Sequence, residues 1–309
     1  MAIQQWRLLL GGLRSLVIEQ PLGTGGTVSA RYCYSVFMRH RVVAAKCGLS
    51  KVPRSVLELG PGDSLGIGLM ALLTGSELYI GIDAVRHASI ETNLEIFDNL
   101  VKLLKGRTCI PNDNECAAIR PKLSNYEFPY ELFSDKDLKA SLESKRLERL
   151  KRILLTPREG KAIQYLAPRG ELGTIRRNSI DWIFSQAVLE HVDNLRETYN
   201  QCFAALKADG FMTHQVDYKC HETANEWNGH WKYHKWLWTI MRGRRSWFIN
   251  RLPYSVHVQL QKEASFELLS EIIEEQQSDI KRTQLAKEYR ALTVKDMQTS
   301  GAMFVLRKK

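Results

Sequence analysis

Val56-Leu57-Glu58-Leu59-Gly60-Pro61-Gly62-Asp63-Ser64-Leu65-Gly66 decides how this chain folds. Ser55–Leu59 is an apolar run of strand length that stops at a glycine-rich turn, and Leu65–Leu73 follows with apolar residues around much of a helix. The spacing predicts strand, tight turn, helix. Gly60 and Gly62 let the backbone turn sharply and approach a ligand, and the helix beyond aims its free N–H groups above the strand end. Leu78–Asp83 reads as a second buried strand. It ends in a carboxylate about 20 residues beyond Gly62, where an acidic side chain accepts hydrogen bonds from ribose hydroxyls.

The loop also rules ligands out. Position 65 is leucine, so the G-x-G-x-x-G pattern of dinucleotide enzymes is incomplete, and no G-K-[ST] ending marks a nucleoside triphosphate loop. Glu58, inside the first strand, would repel a pyrophosphate but suits a cofactor carrying sulfonium and amino groups.

Working outward, strands alternate with helices. Further strands are predicted at Ile163–Ala167, Ile180–Ser185, Phe211–Val216, Phe266–Ile273 and Ala302–Leu306. Seven strands with helices between them make a doubly wound α/β fold with a mostly parallel sheet. Asp193 is the predicted N-cap of a helix through Leu206, and LKADG at Leu206–Gly210 the turn that ends it. Residues 1–54 form a helical N-terminal segment packing on the 55–309 domain, which carries insertions at about 105–160 and 218–253. The first insertion includes a basic amphipathic helix, Ser141–Leu155, that reads as a solvated face.

With these elements placed, the sequence resembles class I S-adenosylmethionine-dependent methyltransferases. The E-L-G-P-G-D-S loop, Asp83 and S-Q-A-V-L-E-H-V at Ser185–Val192 match in order and spacing. Bacterial methyltransferases of surface-polysaccharide and natural-product gene sets are nearer still. They share an aromatic and basic helix like Ser29–His40, a histidine-bearing segment like Gln215–His221 and an N-R-L stretch like Asn250–Leu252. The resemblance implies a Rossmann-like methyltransferase fold and S-adenosyl-L-methionine as cofactor. It implies that Glu58, Gly60, Gly62 and Asp63 hold the methionine end, with Ser64 standing where many members carry a third glycine. Asp83 would bind the ribose, Ala84 would lie beside the adenine, and Ser185 and Gln186 would floor the site. Tyr34, Trp231, Asn250 and Arg251 are the implied acceptor contacts.

Methyl transfer from a sulfonium needs alignment above all, worth roughly 7–11 kcal/mol, and a general base only when the acceptor is a hydroxyl. Asp217 and His221, at and beyond the fifth strand's carboxyl end, are the preferred catalytic pair, with His191 beside them; His214, within the strand, reads as a core residue. His230 and His234 stand one helical turn apart, but Trp231 occupies the place of the metalloprotease glutamate, and no metal ligand is predicted. Five of the seven tryptophans fall between Trp227 and Trp247, interleaved with lysine and arginine. As a cap over the acceptor they serve either to stack on it or to anchor the cap.

Lysine and arginine number 44 against 34 acidic residues, a net charge of +10 that favours anionic partners. The six cysteines form no C-x-x-C pair, which points to the reducing cytoplasm. No apolar stretch reaches the length of a membrane span; Leu8–Ile18 reads as a helix packing on the domain, with peripheral membrane contact as its other use. The leading expectation is O-methylation of a sugar or polysaccharide-like acceptor, an anionic one by the charge; nucleic acid is disfavoured because no N/D-P-P-Y motif follows the fourth strand. RNA, lipid and natural-product methylation, and a non-catalytic cofactor-fold binding protein, are the rivals.

Overall fold

The five buried residues Ser55–Leu59 (β1) form the centre of a seven-stranded sheet in the computed structural model, which describes residues 3–18, 26–158, 161–168 and 170–309. β1 pairs in parallel with β2 (Leu78–Ile82) and β4 (Ile180–Gln186); β3 (Ile163–Leu166) lies outside β2, and β5 (Leu206–Asp217) outside β4. Parallel partners on both sides require helices on both faces, which is why β1 is buried at every position without alternation. β6 (Phe266–Glu275) and β7 (Thr299–Lys308) complete the order β3-β2-β1-β4-β5-β7-β6. The sheet is thus mixed, because β7 runs antiparallel to both β5 and β6.

Alternate β1 side chains feed two cores. Val56 packs in the layer that includes α2 (Ala30–Lys46), α3 (Gly66–Leu73) and α4 (Ile90–Lys105). Leu57 and Leu59 pack on the opposite face with α7 (Leu195–Ala205) and α9 (Tyr254–Glu263). The strand order reverses between β1 and β4. In open α/β sheets ligands bind outside the strand ends at such a switch point.

The remaining helices are α1 (Ile3–Val17), α5 (Asp135–Ser141), α6 (Ser144–Leu154), α8 (Lys235–Arg242) and α10 (Val294–Gln298). The predicted basic helix is therefore shorter than its pattern: α6 buries Leu150 and Leu154 and turns its cations outward. The first insertion is pinned by Arg39 of α2. This fully buried side chain donates to the carbonyls of Pro111, Ile119 and Pro121. Two local expectations are corrected. Asn194, not Asp193, caps α7, its side chain accepting from the Glu197 N–H, while Asp193 pairs with Arg242. Leu206 is already paired with Ile180, and a bulge absorbs the predicted turn, so β5 starts there.

α1 packs on α8 at close range: a Cβ on Gly12 would sit 2.0 Å from the Ile240 carbonyl oxygen. Its outer face leaves Trp6, Leu10, Leu13 and Leu16 exposed. Among the described residues, no helix is long and apolar enough to cross a membrane.

Candidate active site

Past β1 the chain turns through Gly60 and Gly62, both at positive φ (66° and 74°). A Cβ on Gly60 would meet Val188 Cγ2 at 2.6 Å, so the loop is pressed against the turn after β4. Four of its amides are taken. Gly62 N–H donates to Asp83 Oδ2 (3.2 Å), Ser64 N–H to Thr27 Oγ1 (2.8 Å), Leu65 N–H to Asn93 Oδ1 (2.8 Å) and Gly66 N–H to Ser64 Oγ (3.1 Å). A phosphate cradle needs such amides free. With Asp63 and Asp83 beside it as well, this loop is built against anions. Its serine is occupied too, since Ser64 Oγ donates to the Thr27 carbonyl at 2.5 Å, and Asp63 Oδ2 accepts from Gly26 N–H.

Asp83 follows β2, half-buried, its second oxygen 3.3 Å from Val85 N–H. Burial raises its pKa against the pull of these amides. Each carboxylate oxygen still has a lone pair for a hydroxyl. Ala84 beside it is exposed. Glu58 is placed differently from expectation: it lies in the layer beneath the loop, accepting from Tyr79 Oη at 2.6 Å. Burial pushes its pKa up to about 8.

At the end of β4, Ser185 is fully buried and hydrogen-bonds His214 Nδ1 at 2.7 Å, so it turns inward. Gln186 Oε1 meets His40 Nε2 at 3.0 Å, and His40 Nδ1 meets Thr213 Oγ1 at 2.8 Å, which accepts from Trp182 Nε1. Burial lowers the His40 pKa to about 4, so the ring is neutral. The amide oxygen only accepts, hence Nε2 carries the proton and Nδ1 receives the Thr213 hydroxyl. His40 therefore fixes the Gln186 carboxamide at the switch point.

Beyond Gln186, Ala187 takes φ +54° and a short 3₁₀ turn, Leu189–His191, presents Glu190 and His191. Asn250 clamps that turn: its side-chain amide donates to the Leu189 and Val192 carbonyls (2.9 and 2.8 Å), and its N–H to the Glu190 carbonyl (2.6 Å). From β5, Asp217 reaches His221, Oδ2 to Nε2 3.6 Å, and Lys219 Nζ lies 3.2 Å from Oδ1. Burial opposes ionisation of Asp217, but His221 and Lys219 outweigh it and hold the pKa at about 2. The His191 and His221 rings are 5.2 Å apart, and burial, then His221, lowers His191 to about 4. Glu190 is buried with neither oxygen in close hydrogen-bond geometry to a described residue, and burial raises its pKa well above the usual range against the pull of the nearby Glu190 and Asp217 backbone N–H groups.

The fold thus brings Asp217, His221 and His191 together, and adds Glu190, which the sequence reading left out. The predicted acceptor contacts go elsewhere. Tyr34 is fully buried, donating to the Thr108 carbonyl. Trp231 is buried, its indole donating to the Arg251 carbonyl; the Arg251 guanidinium donates to the His230 and Tyr233 carbonyls and lies over Trp238 and Tyr289. These side chains hold the cap together. His230 and His234 share no helical face: His230 is buried, while His234 precedes α8 and pairs with Glu288. Tyr32, at the start of α2, was not singled out by spacing. Burial raises its pKa, and both Glu58 and Glu190 act on its phenol. It lies eight residues before His40, hence on the same helical stripe two turns nearer the loop.

No protein-family model matches the chain, and neither does any curated protein. Among solved structures it is similar to a candidate sarcosine dimethylglycine methyltransferase from Galdieria sulphuraria, with 12% identity, 88% of this chain and 85% of that one covered, and a TM-score of 0.45. It is likewise similar to an S-adenosylmethionine-dependent methyltransferase from Mesorhizobium loti (12% identity, 86% and 96% covered, TM-score 0.43). A third is the [4+2]-cyclase SpnF (10% identity, 99% and 93% covered, TM-score 0.43). Likeness at this level leaves substrate and activity to be argued from the site itself.

Proposed function

We propose that the chain is an S-adenosylmethionine-dependent methyltransferase that methylates a hydroxyl of a sugar or polysaccharide-like acceptor. One observation carries the cofactor reading: Asp83 stands at the carboxyl end of β2, next to β1, locked through Gly62 to a glycine loop with four amides already engaged by the protein. That combination suits a ligand offering ribose hydroxyls and cationic groups rather than a dinucleotide. Gly60, Gly62, Asp63 and Ser64 would bound the methionine end, Asp83 the ribose and Ala84 the adenine. When bound, the cofactor supplies an activated methyl group; the chain's residues align the acceptor and take charge of its proton.

The acceptor end is the group formed by Glu190, His191, Asp217 and His221, at the carboxyl ends of β4 and β5. Asp217 holds the His221 imidazole, and Asn250 fixes the turn that carries Glu190 and His191. Proton handling by such a group is worth roughly 10²–10⁴-fold in rate, and only a hydroxyl acceptor needs it. The net charge of +10, with Lys219 at the rim, favours an anionic acceptor such as a uronic acid. The six free cysteines are consistent with the cytoplasm as its place of work. The test is transfer of labelled methyl from S-adenosylmethionine to a panel of neutral sugars, uronic acids, lipids and RNA. Labelled sugars support the reading, whereas labelling confined to RNA or lipid refutes the acceptor assignment.

A further inference from the structure

Among the buried polar atoms without a close hydrogen-bond partner among the described residues are both carboxylate oxygens of Glu190 and Nδ1 of His191, beyond the end of β4. Buried polar groups are almost always satisfied, so a buried carboxyl with neither oxygen closely bonded calls for a partner from outside the chain. A histidine from a different strand end faces the same space. One donor atom each from Glu190, His191 and His221 lies within 4.8 Å of the others.

We propose that Glu190, His191 and His221 bind a divalent transition-metal cation with a coordination position left open for the acceptor. Two imidazoles and one carboxylate are a ligand set used by catalytic metals, with the remaining position free for water or substrate. Metal–ligand bonds near 2.1 Å put tetrahedral donors about 3.4 Å apart, so the trio closes by about an ångström on an ion. Neighbouring groups already orient the ligands. Asn250 clamps the Glu190–His191 turn, Asp217 stands beside the His221 ring, and His221 itself sits at φ +45°. Outer contacts of this kind set ligand direction in metal sites.

What the ion would do rests on the methyltransferase reading. A hydroxyl bound at the open position becomes a stronger acid. As its oxygen forms the new bond to the methyl carbon, the methyl–sulfur bond breaks, the sulfonium leaves as a neutral thioether and the proton passes to water. An acceptor with two neighbouring oxygens, as in a sugar diol, would chelate the ion and be placed by it.

The test uses the full chain and Co²⁺, whose visible ligand-field band reports imidazole and carboxylate ligation, and whose near-ultraviolet band exposes binding to cysteines. The expected result is one equivalent bound without the thiolate band, with affinity falling by more than about 100-fold, beyond the cost of losing an outer contact, in His221→Ala and in Glu190→Gln. No Co²⁺ bound by the folded wild type, a thiolate signature, or undiminished binding in both variants would overturn the proposal. S-adenosylmethionine is titrated separately. Cofactor binding without Co²⁺ binding defeats the metal site and spares the methyltransferase reading; Co²⁺ binding without cofactor does the reverse.

Discussion

Replacing Glu58 with glutamine isolates one electrostatic consequence of the site. The Glu58 carboxyl is 2% exposed, and burial moves its pKa from 4.5 to about 8 even though Tyr79 donates to it. The folded protein therefore keeps this proton through neutral pH, whereas the unfolded chain releases it near 4.5. The stabilisation from Glu58 is complete below pH 4.5 and is lost as pH rises through 8. Within that window each unit removes about 1.4 kcal/mol, on the order of 4–5 kcal/mol in all. Glutamine still accepts from Tyr79 but does not titrate. Urea unfolding of both proteins, followed by tryptophan fluorescence across this window, should show the variant gaining on the wild type by about 1.4 kcal/mol per pH unit. The gain should level off above pH 8. Parallel stability profiles would refute the reasoning. The same group reports on the ligand: a cation bound above the loop favours the ionised carboxylate, so binding near neutral pH should release a proton from the wild type and none from Glu58→Gln. Calorimetry in buffers of different ionisation enthalpy measures that release.

Gly60→Ala should cost roughly 2–4 kcal/mol in a denaturant titration, since alanine is strained at positive φ and its Cβ would collide with Val188. Adding Val188→Ala should recover only the collision part, and a purely additive double mutant would contradict the packing account. Asn250→Ala removes two hydrogen bonds to the turn carrying Glu190 and His191, a loss of about 1–3 kcal/mol of stability. It should weaken acceptor turnover and leave S-adenosylmethionine affinity unchanged; equal loss of both would place Asn250 elsewhere in the mechanism.

Much of the sheet was legible because its signals are local. β1, the glycine turn, α3 and β2 follow one another as apolar run, breaker and apolar run, and Asp83 ends the second strand where a ribose ligand belongs. Six of the seven strands were likewise within three residues of their predicted ends, whereas β5 starts five residues before its predicted Phe211. Pairing is not local. That β7 inserts antiparallel between β5 and β6 depends on contacts between distant segments, and no residue of β7 announces it. The site divides the same way. His191 and His221 were legible as residues at strand ends, but the trio with Glu190 exists only because β4 and β5 lie side by side. Trp231 and Arg251 misled because aromatic and cationic side chains that stack on ligands also stack on each other. Tyr34 misled because the helical phase of α2, which buries it, is fixed only once His40 is seen against Gln186.

Calorimetric titration of S-adenosylmethionine into the purified chain, beside Asp83→Ala, tests the central claim most directly. Two charge-assisted hydrogen bonds from the ribose hydroxyls to Asp83 are worth about 3–6 kcal/mol, so the variant should bind at least about a hundredfold more weakly. Micromolar binding by the wild type, lost in the variant, is the predicted result. A folded wild type that binds no S-adenosylmethionine, or an Asp83→Ala variant that binds it equally well, would contradict the account.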